Sequence, residues 1–195
     1  MDQKEILHKY LRTRRENLLA KLDGLDEYSI RRPMTPTGTN LLGLVKHVAS
    51  VELGYLTDVF GRPTGRVLPW FSDDAEPDAD FWAAPDETRE SIIELHHFSA
   101  AASDATINEL DLDAPGHVPW WREDRRDVTL HQILVHMCVE TAHHLGHADI
   151  LRELIDGGVG QGAADPNVTP RSAEDWAAHR ERIESAARKA GAGGL

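Results

Sequence analysis

Val139-Glu140-Thr141-Ala142-His143-His144-Leu145-Gly146-His147-Ala148-Asp149-Ile150-Leu151-Arg152-Glu153 is the stretch that decides the fold. At ~100° per residue, and with Glu140 as zero, Ile133 and Leu151 fall at ~20°, His144 at ~40°, Met137 and Ile155 at ~60°, Leu130 and Ala148 at ~80°. His144 therefore stands in the middle of an apolar stripe and Glu140 at its shoulder. A carboxylate facing a core is costly unless it is protonated, paired or bound to a metal. Residues i and i+4 rise only ~6 Å on one face, so a carboxylate oxygen and an imidazole nitrogen can reach one ion at ~2.0–2.2 Å. A plain buried Glu-His ion pair satisfies the same spacing, and spacing alone does not choose. On the same wheel His143 falls near −60°, His136 near −40° and His147 near −20°, so His147 is expected to stand behind the ligands or to act as a spare one.

Working outward, the pattern predicts a helix from about Leu130 to Asp156, capped by Asp127 or Thr129 and stopped at Gly157-Gly158. Upstream, Asp2 to about Leu25 reads as a first amphipathic helix, broken by Pro33, Pro36 and Gly38. Thr39 or Asn40 caps a second, running to about Phe60, in which His47 is the only histidine, beside the Leu44, Val48, Val51, Tyr55 stripe. A third ligand must come from another helix, and His47 is placed to supply it. Arg66 to Asp86, with Pro69, Pro77 and Pro85, reads as a long ordered loop, and Thr88 to about Leu110 as a third helix. Trp120 and Trp121 lie in a second aromatic loop. Nothing alternates with period two. The expected fold is all-α: an antiparallel, up-and-down four-helix bundle with two long loops and an added short C-terminal helix, about Ser172 to Lys189. Residues 1–160 form the metal-binding bundle, and 161–195 a linker, helix and flexible tail packed on the same domain.

Thirty-three acidic against twenty-one basic residues leave a formal charge of −12, and no Lys/Arg cluster lies between aromatics, so nucleic acid is not an expected partner. Apolar runs fall short of the ~20 residues that span a bilayer, and the N-terminus is charged, so a cytoplasmic protein without membrane partners is expected. Cys138 sits in a helical pattern as packing. Eleven histidines is the unusual count, and five of them crowd into positions 131–147.

The Val139–Glu153 run resembles the last-helix signature of the DinB/YfiT-like superfamily, on the branch close to mycothiol-dependent enzymes. Leu41-Leu42-Gly43-Leu44-Val45-Lys46-His47 resembles its second-helix ligand motif, and the loop around Asp80, Phe81, Trp82, Pro85 and Thr88 also fits. The resemblance reaches from the second helix to about Gly157. It implies one ligand from helix two and two spaced i, i+4 on the last helix, at His47, Glu140 and His144. A carboxylate at Glu140, where many relatives have His, resembles the mycothiol-dependent maleylpyruvate isomerase type. His143 stands where similar sequences often carry Arg. Maleylpyruvate isomerisation itself is not expected, because that isomerase adds a C-terminal domain for which this chain is short.

Two His and one carboxylate with open positions is a composition of catalytic zinc sites. Metal coordination turns a thiol into a thiolate nucleophile. The expected function is therefore a divalent-metal-dependent thiol transferase, with zinc ranked ahead of nickel or iron, mycothiol as thiol co-substrate and a small electrophile as its partner. The alternatives are a metal-dependent hydrolase, iron oxygen chemistry, or a non-enzymatic metal-binding, stress-associated bundle in which His147 closes the coordination. Trp82, Trp120 and Trp121 are candidate pocket walls, with packing of the loops onto the bundle as the plainer reading, and Arg152, matching the signature, is a candidate cofactor-binding residue. A homodimer is compatible with all of these.

Overall fold

Each long helix begins where a short polar side chain can serve otherwise unpaired N–H groups. The computed structural model describes residues 1–160 and 165–192; part of the expected linker, 161–164, and the end of the expected tail, 193–195, lie outside the described residues. Helix α1 spans Gln3–Ala20, with Asp2 and Glu5 in a reciprocal capping box. Helix α3, Leu41–Leu56, is capped by Asn40, α4, Arg89–Glu109, by Thr88, and α5, Leu130–Asp156, by Thr129. Gly157 closes α5 with φ 79°, a left-handed turn that glycine adopts without strain.

Three local departures from the pattern have local causes. The first helix stops at Ala20 rather than near Leu25, the chain turns, and a short α2, Glu27–Arg31, starts on an Asp26 cap. The second helix ends at Leu56, and a separate 3-10 turn takes Asp58–Phe60. Strands β1, Pro115–His117, and β2, Asp127–Thr129, pair antiparallel, with Gly116 opposite Val128. Three residues a side are too few to show as alternation.

In the first unit the core divides into two clusters that fix the directions of α1, α3, α4 and α5. One joins Leu18 and Leu22, the α3 start at Leu41 to Val48, Ile92 near the α4 start, and the α5 end at Leu145 to Leu151. The other joins Leu11, Leu56, Ile107 and the α5 start at Leu130 to Met137. Each α1 and α5 terminus thus meets its own kind, as do those of α3 and α4. The pairs α1/α5 and α3/α4 run parallel, while α3 packs antiparallel on α5 and α1 on α4. The strictly alternating, up-and-down succession expected from sequence becomes up, down, down, up. Because α3 and α4 are parallel, residues 57–88 must return the length of the bundle, which is why that loop is long. Its return path carries Asp80 and Phe81 back to α3. Apart from Ala148, the buried members of both clusters are Leu, Ile, Val and Met side chains, each worth roughly 1.5–3 kcal/mol when fully buried.

Residues 1–163 and 164–195 form two compact units. In the second, α6, Ala173–Ala192, starts on a Ser172–Asp175 exchange of hydrogen bonds and buries none of its residues. No described helix is long and apolar enough to cross a membrane.

Candidate metal centre

Gly43 permits the contact on which the site depends. A Cβ there would collide with the backbone carbonyl of Phe81, so only glycine lets the returning loop lie on the first turn of α3. Asn40 also reaches that carbonyl, donating from Nδ2 at 3.2 Å. Lys46 then clamps the loop from below: its buried ammonium donates to the carbonyls of Ala79 and Trp82 at 2.8 and 2.9 Å and pairs with Glu87 at 2.8 Å.

The result is to set Asp80 and Phe81 on His47. The His47 Nδ1 lies 2.6 Å from Asp80 Oδ2, and the Phe81 ring stacks on the imidazole at 3.8 Å. With Nδ1–H donating to Asp80, Nε2 is turned toward α5. There it stands 3.3 Å from Glu140 Oε1, and His144 Nε2 stands 3.1 Å from the same oxygen. Ligand atoms of His47, Glu140 and His144 all lie within 4.8 Å of one another, the one such group among the described residues. Both histidines are 8% exposed, and Glu140 is half-buried on the open side.

The electrostatics are those of a site short of positive charge. Contacts to His144 and His47 hold the Glu140 carboxyl well below the usual carboxylate range, outweighing its burial. Burial disfavours a charged His47, but Asp80 and Glu140 prevail and raise it, while burial of Asp80 is likewise overcome by His47. Two carboxylates thus face two imidazoles whose charge is conditional. A neutral His47 bonded to Asp80 offers Glu140 a lone pair, and two acceptors at this distance repel unless a cation stands between them. The donor set fits a divalent ion on both counts: N and O donors on one tetrahedral ion at ~2.0–2.2 Å sit ~3.3–3.5 Å apart, and two positive charges cancel the two carboxylates. Asp80 stands where a carboxylate would orient His47 as a ligand and fix its tautomer. His144 lacks such support, because among the described residues its buried Nδ1 has no hydrogen-bond partner.

The structure brings together the three residues chosen from sequence and separates the others. His143 is exposed, as the helical wheel requires. His147 is exposed too, its ring 4.4 Å from His143 and 5.5 Å from His144, and stays outside the three-residue group. Trp82 lines a cavity of about 540 Å³ beside Phe81, and Trp120 a separate one of about 750 Å³. Trp121 stands behind Tyr55, donating its indole N–H to the phenol at 2.8 Å. Arg152 lines neither cavity: it pairs with Asp156 and donates to the carbonyls of Lys21 and Asp23. Cys138 is half-buried, and burial pushes its thiol pKa up, so it packs rather than reacts. Sequence reasoning missed the work of Asp80 and Lys46. Asp80 stands in an acidic stretch that reads as solvated, and the one signal was its place in the Asp80-Phe81-Trp82 loop motif.

A family model described as mycothiol-S-transferase matches residues 6–157, and the chain belongs to that family. No curated protein matches the chain.

Proposed function

We propose that this member of the mycothiol S-transferase family is a divalent-metal-dependent enzyme that transfers a small thiol, mycothiol or one like it, to an electrophile in the cytoplasm. His47, Glu140 and His144 hold the ion, with zinc the first choice. The convergence of two imidazole nitrogens on one carboxylate oxygen, with no fixed cation among them, carries the reading. A bound divalent ion with an open position lowers the pKa of a coordinated thiol and makes it a nucleophile at neutral pH.

The chain's own residues prepare for this. Asp80 accepts the His47 Nδ1 proton and so keeps the Nε2 lone pair aimed at the centre. Phe81 covers the imidazole face and keeps water from it, which strengthens every charge interaction beneath. Glu140, held ionised by its partners, contributes the negative charge that balances the ion.

Cobalt substitution tests the assignment. Adding mycothiol to the cobalt protein gives a sulfur-to-metal charge-transfer band and releases a proton. Glu140→Ala and His144→Ala lose the metal and the band, and His143→Ala keeps both. Thiol binding without a band or proton release would move the reading to a hydrolase or a structural metal.

A further inference from the structure

One turn beyond His47, the same face of α3 borders the larger cavity. With His47 as zero, Val51 and Gly54 fall at ~40° and ~−20° around the helix, and Asp58 follows on the 3-10 turn. They line a cavity of about 750 Å³ walled opposite by Leu68, Phe71 and Trp120. That volume suits a molecule of drug size. Gly54, in the last turn of α3, faces it: a Cβ there would meet Trp120 at an ordinary 3.6 Å, and a larger side chain would extend into the cavity.

The walls are apolar, exposed and held. Val67, Phe71 and Trp120 are 82%, 52% and 54% exposed around one opening, an unusual concentration of large apolar surface. Trp120 is nevertheless fixed, donating its indole N–H to the Tyr55 hydroxyl at 3.1 Å. That hydroxyl accepts from Trp121 as well, which polarises its own O–H and leaves the proton for another acceptor. Tyr55 lines the cavity and also packs edge-on against His136, one turn before Glu140, so it spans from the cavity to the helix of the metal centre. Of the charged side chains at the rim, Arg66 is held by both oxygens of Glu94 at 2.8 and 2.7 Å, while exposed Asp58 accepts a hydrogen bond from the Thr57 hydroxyl at 3.4 Å and disfavours an anion.

We infer that this cavity binds the electrophilic co-substrate, an uncharged, largely apolar molecule with one hydrogen-bond acceptor for Tyr55 and its reactive end toward His47. The word electrophilic rests on the thiol-transferase reading; the selection for an uncharged apolar molecule rests on the cavity alone.

The metal-loaded full chain is titrated with N-phenyl-1-naphthylamine, an uncharged dye that brightens in apolar surroundings. Saturable binding is expected, weakened at least tenfold by Gly54→Leu, which fills the cavity, and by Val67→Glu, which charges its exposed mouth without touching the core. Both variants should keep their metal. 1-Chloro-2,4-dinitrobenzene, an uncharged electrophile, should displace the dye. Unchanged dye binding in both Gly54→Leu and Val67→Glu overturns the proposal. So does absence of saturable binding, a failure of displacement, or a dimer that hides the face and is dissociated by Val67→Glu. The cobalt band reports separately on the thiol, so a lost band with dye binding intact would remove the transferase reading and leave the cavity assignment.

Discussion

Glu52 and Glu140 both turn a carboxylate toward the interior of the bundle, and they are compensated in opposite ways. Glu52 on α3 pairs at 2.7 Å with Arg15 of α1, which also bonds Asp104 of α4, while Arg15 and Glu52 are 3% and 2% exposed. Among the described residues Glu140 on α5 has imidazoles alone for ion-pair partners. A guanidinium is positive at every pH of interest, so the charge of Glu52 is answered within the folded chain, although Arg15 Nη2 and Glu52 Oε1 have no hydrogen-bond partner among the described residues. An imidazole is positive only when protonated, so the charge of the half-buried Glu140 is left to a proton or to an ion from outside. The identity of the base thus separates a carboxylate that serves the fold from one that is open to a guest.

Removing the base should break this comparison most visibly. Arg15→Leu strands Glu52 in the interior, and loss of one member of a buried pair costs about 3–5 kcal/mol. Denaturant unfolding should show that loss, while metal per folded molecule stays at the wild-type level. Glu140→Gln should do the reverse, emptying the metal centre with little loss of stability in the metal-free protein. Equal effects of the two substitutions on both readouts would erase the distinction.

Acid sharpens it next. His96 is buried near Arg15, and burial, followed by repulsion from Arg15 and His97, lowers its pKa to about 4. Among the described residues neither of its ring nitrogens has a hydrogen-bond partner. In the unfolded chain it titrates near 6.5, so between these values the unfolded state binds more protons. Its contribution is whole above pH ~6.5 and lost as pH falls toward 4, by about 3 kcal/mol in total. Unfolding of the metal-free protein across this range should show the decline, and His96→Leu should flatten it. A slope unchanged by the substitution would place the acid sensitivity elsewhere.

The smallest effect concerns orientation. Asp80→Asn keeps the shape of the loop but no longer offers a carboxylate to His47 Nδ1, and such supports are worth about 10–100-fold in metal affinity. Competition with a chelator should find that weakening, with unfolding of the metal-free protein nearly unchanged. Wild-type affinity would mean that the Phe81 stack alone orients the ring.

What could be read from the chain without its structure is what the helix makes local. The 3.6-residue period assigns azimuths by covalent geometry, so the shared face of Glu140 and His144 and the exclusion of His143 followed from position, while their reading as ligands needed the family resemblance; the helix starts at Thr39 or Asn40 and at Thr88 and the stop at Gly157 were legible as well. His47 was legible as the lone histidine of a facing helix. Asp80 was legible as part of the family-like loop but not as the partner of His47, because its charge does not distinguish it from Asp73, Asp74 or Asp78; it lies 33 residues from His47 and reaches it only through the path of the loop. That path exists because α3 and α4 run parallel, and the choice between parallel and alternating helices depends on which apolar faces meet. The helices' own periods are the same in either arrangement, so only the packed structure decided the direction of the chain, the carboxylate behind the ligand and the cavity beside it.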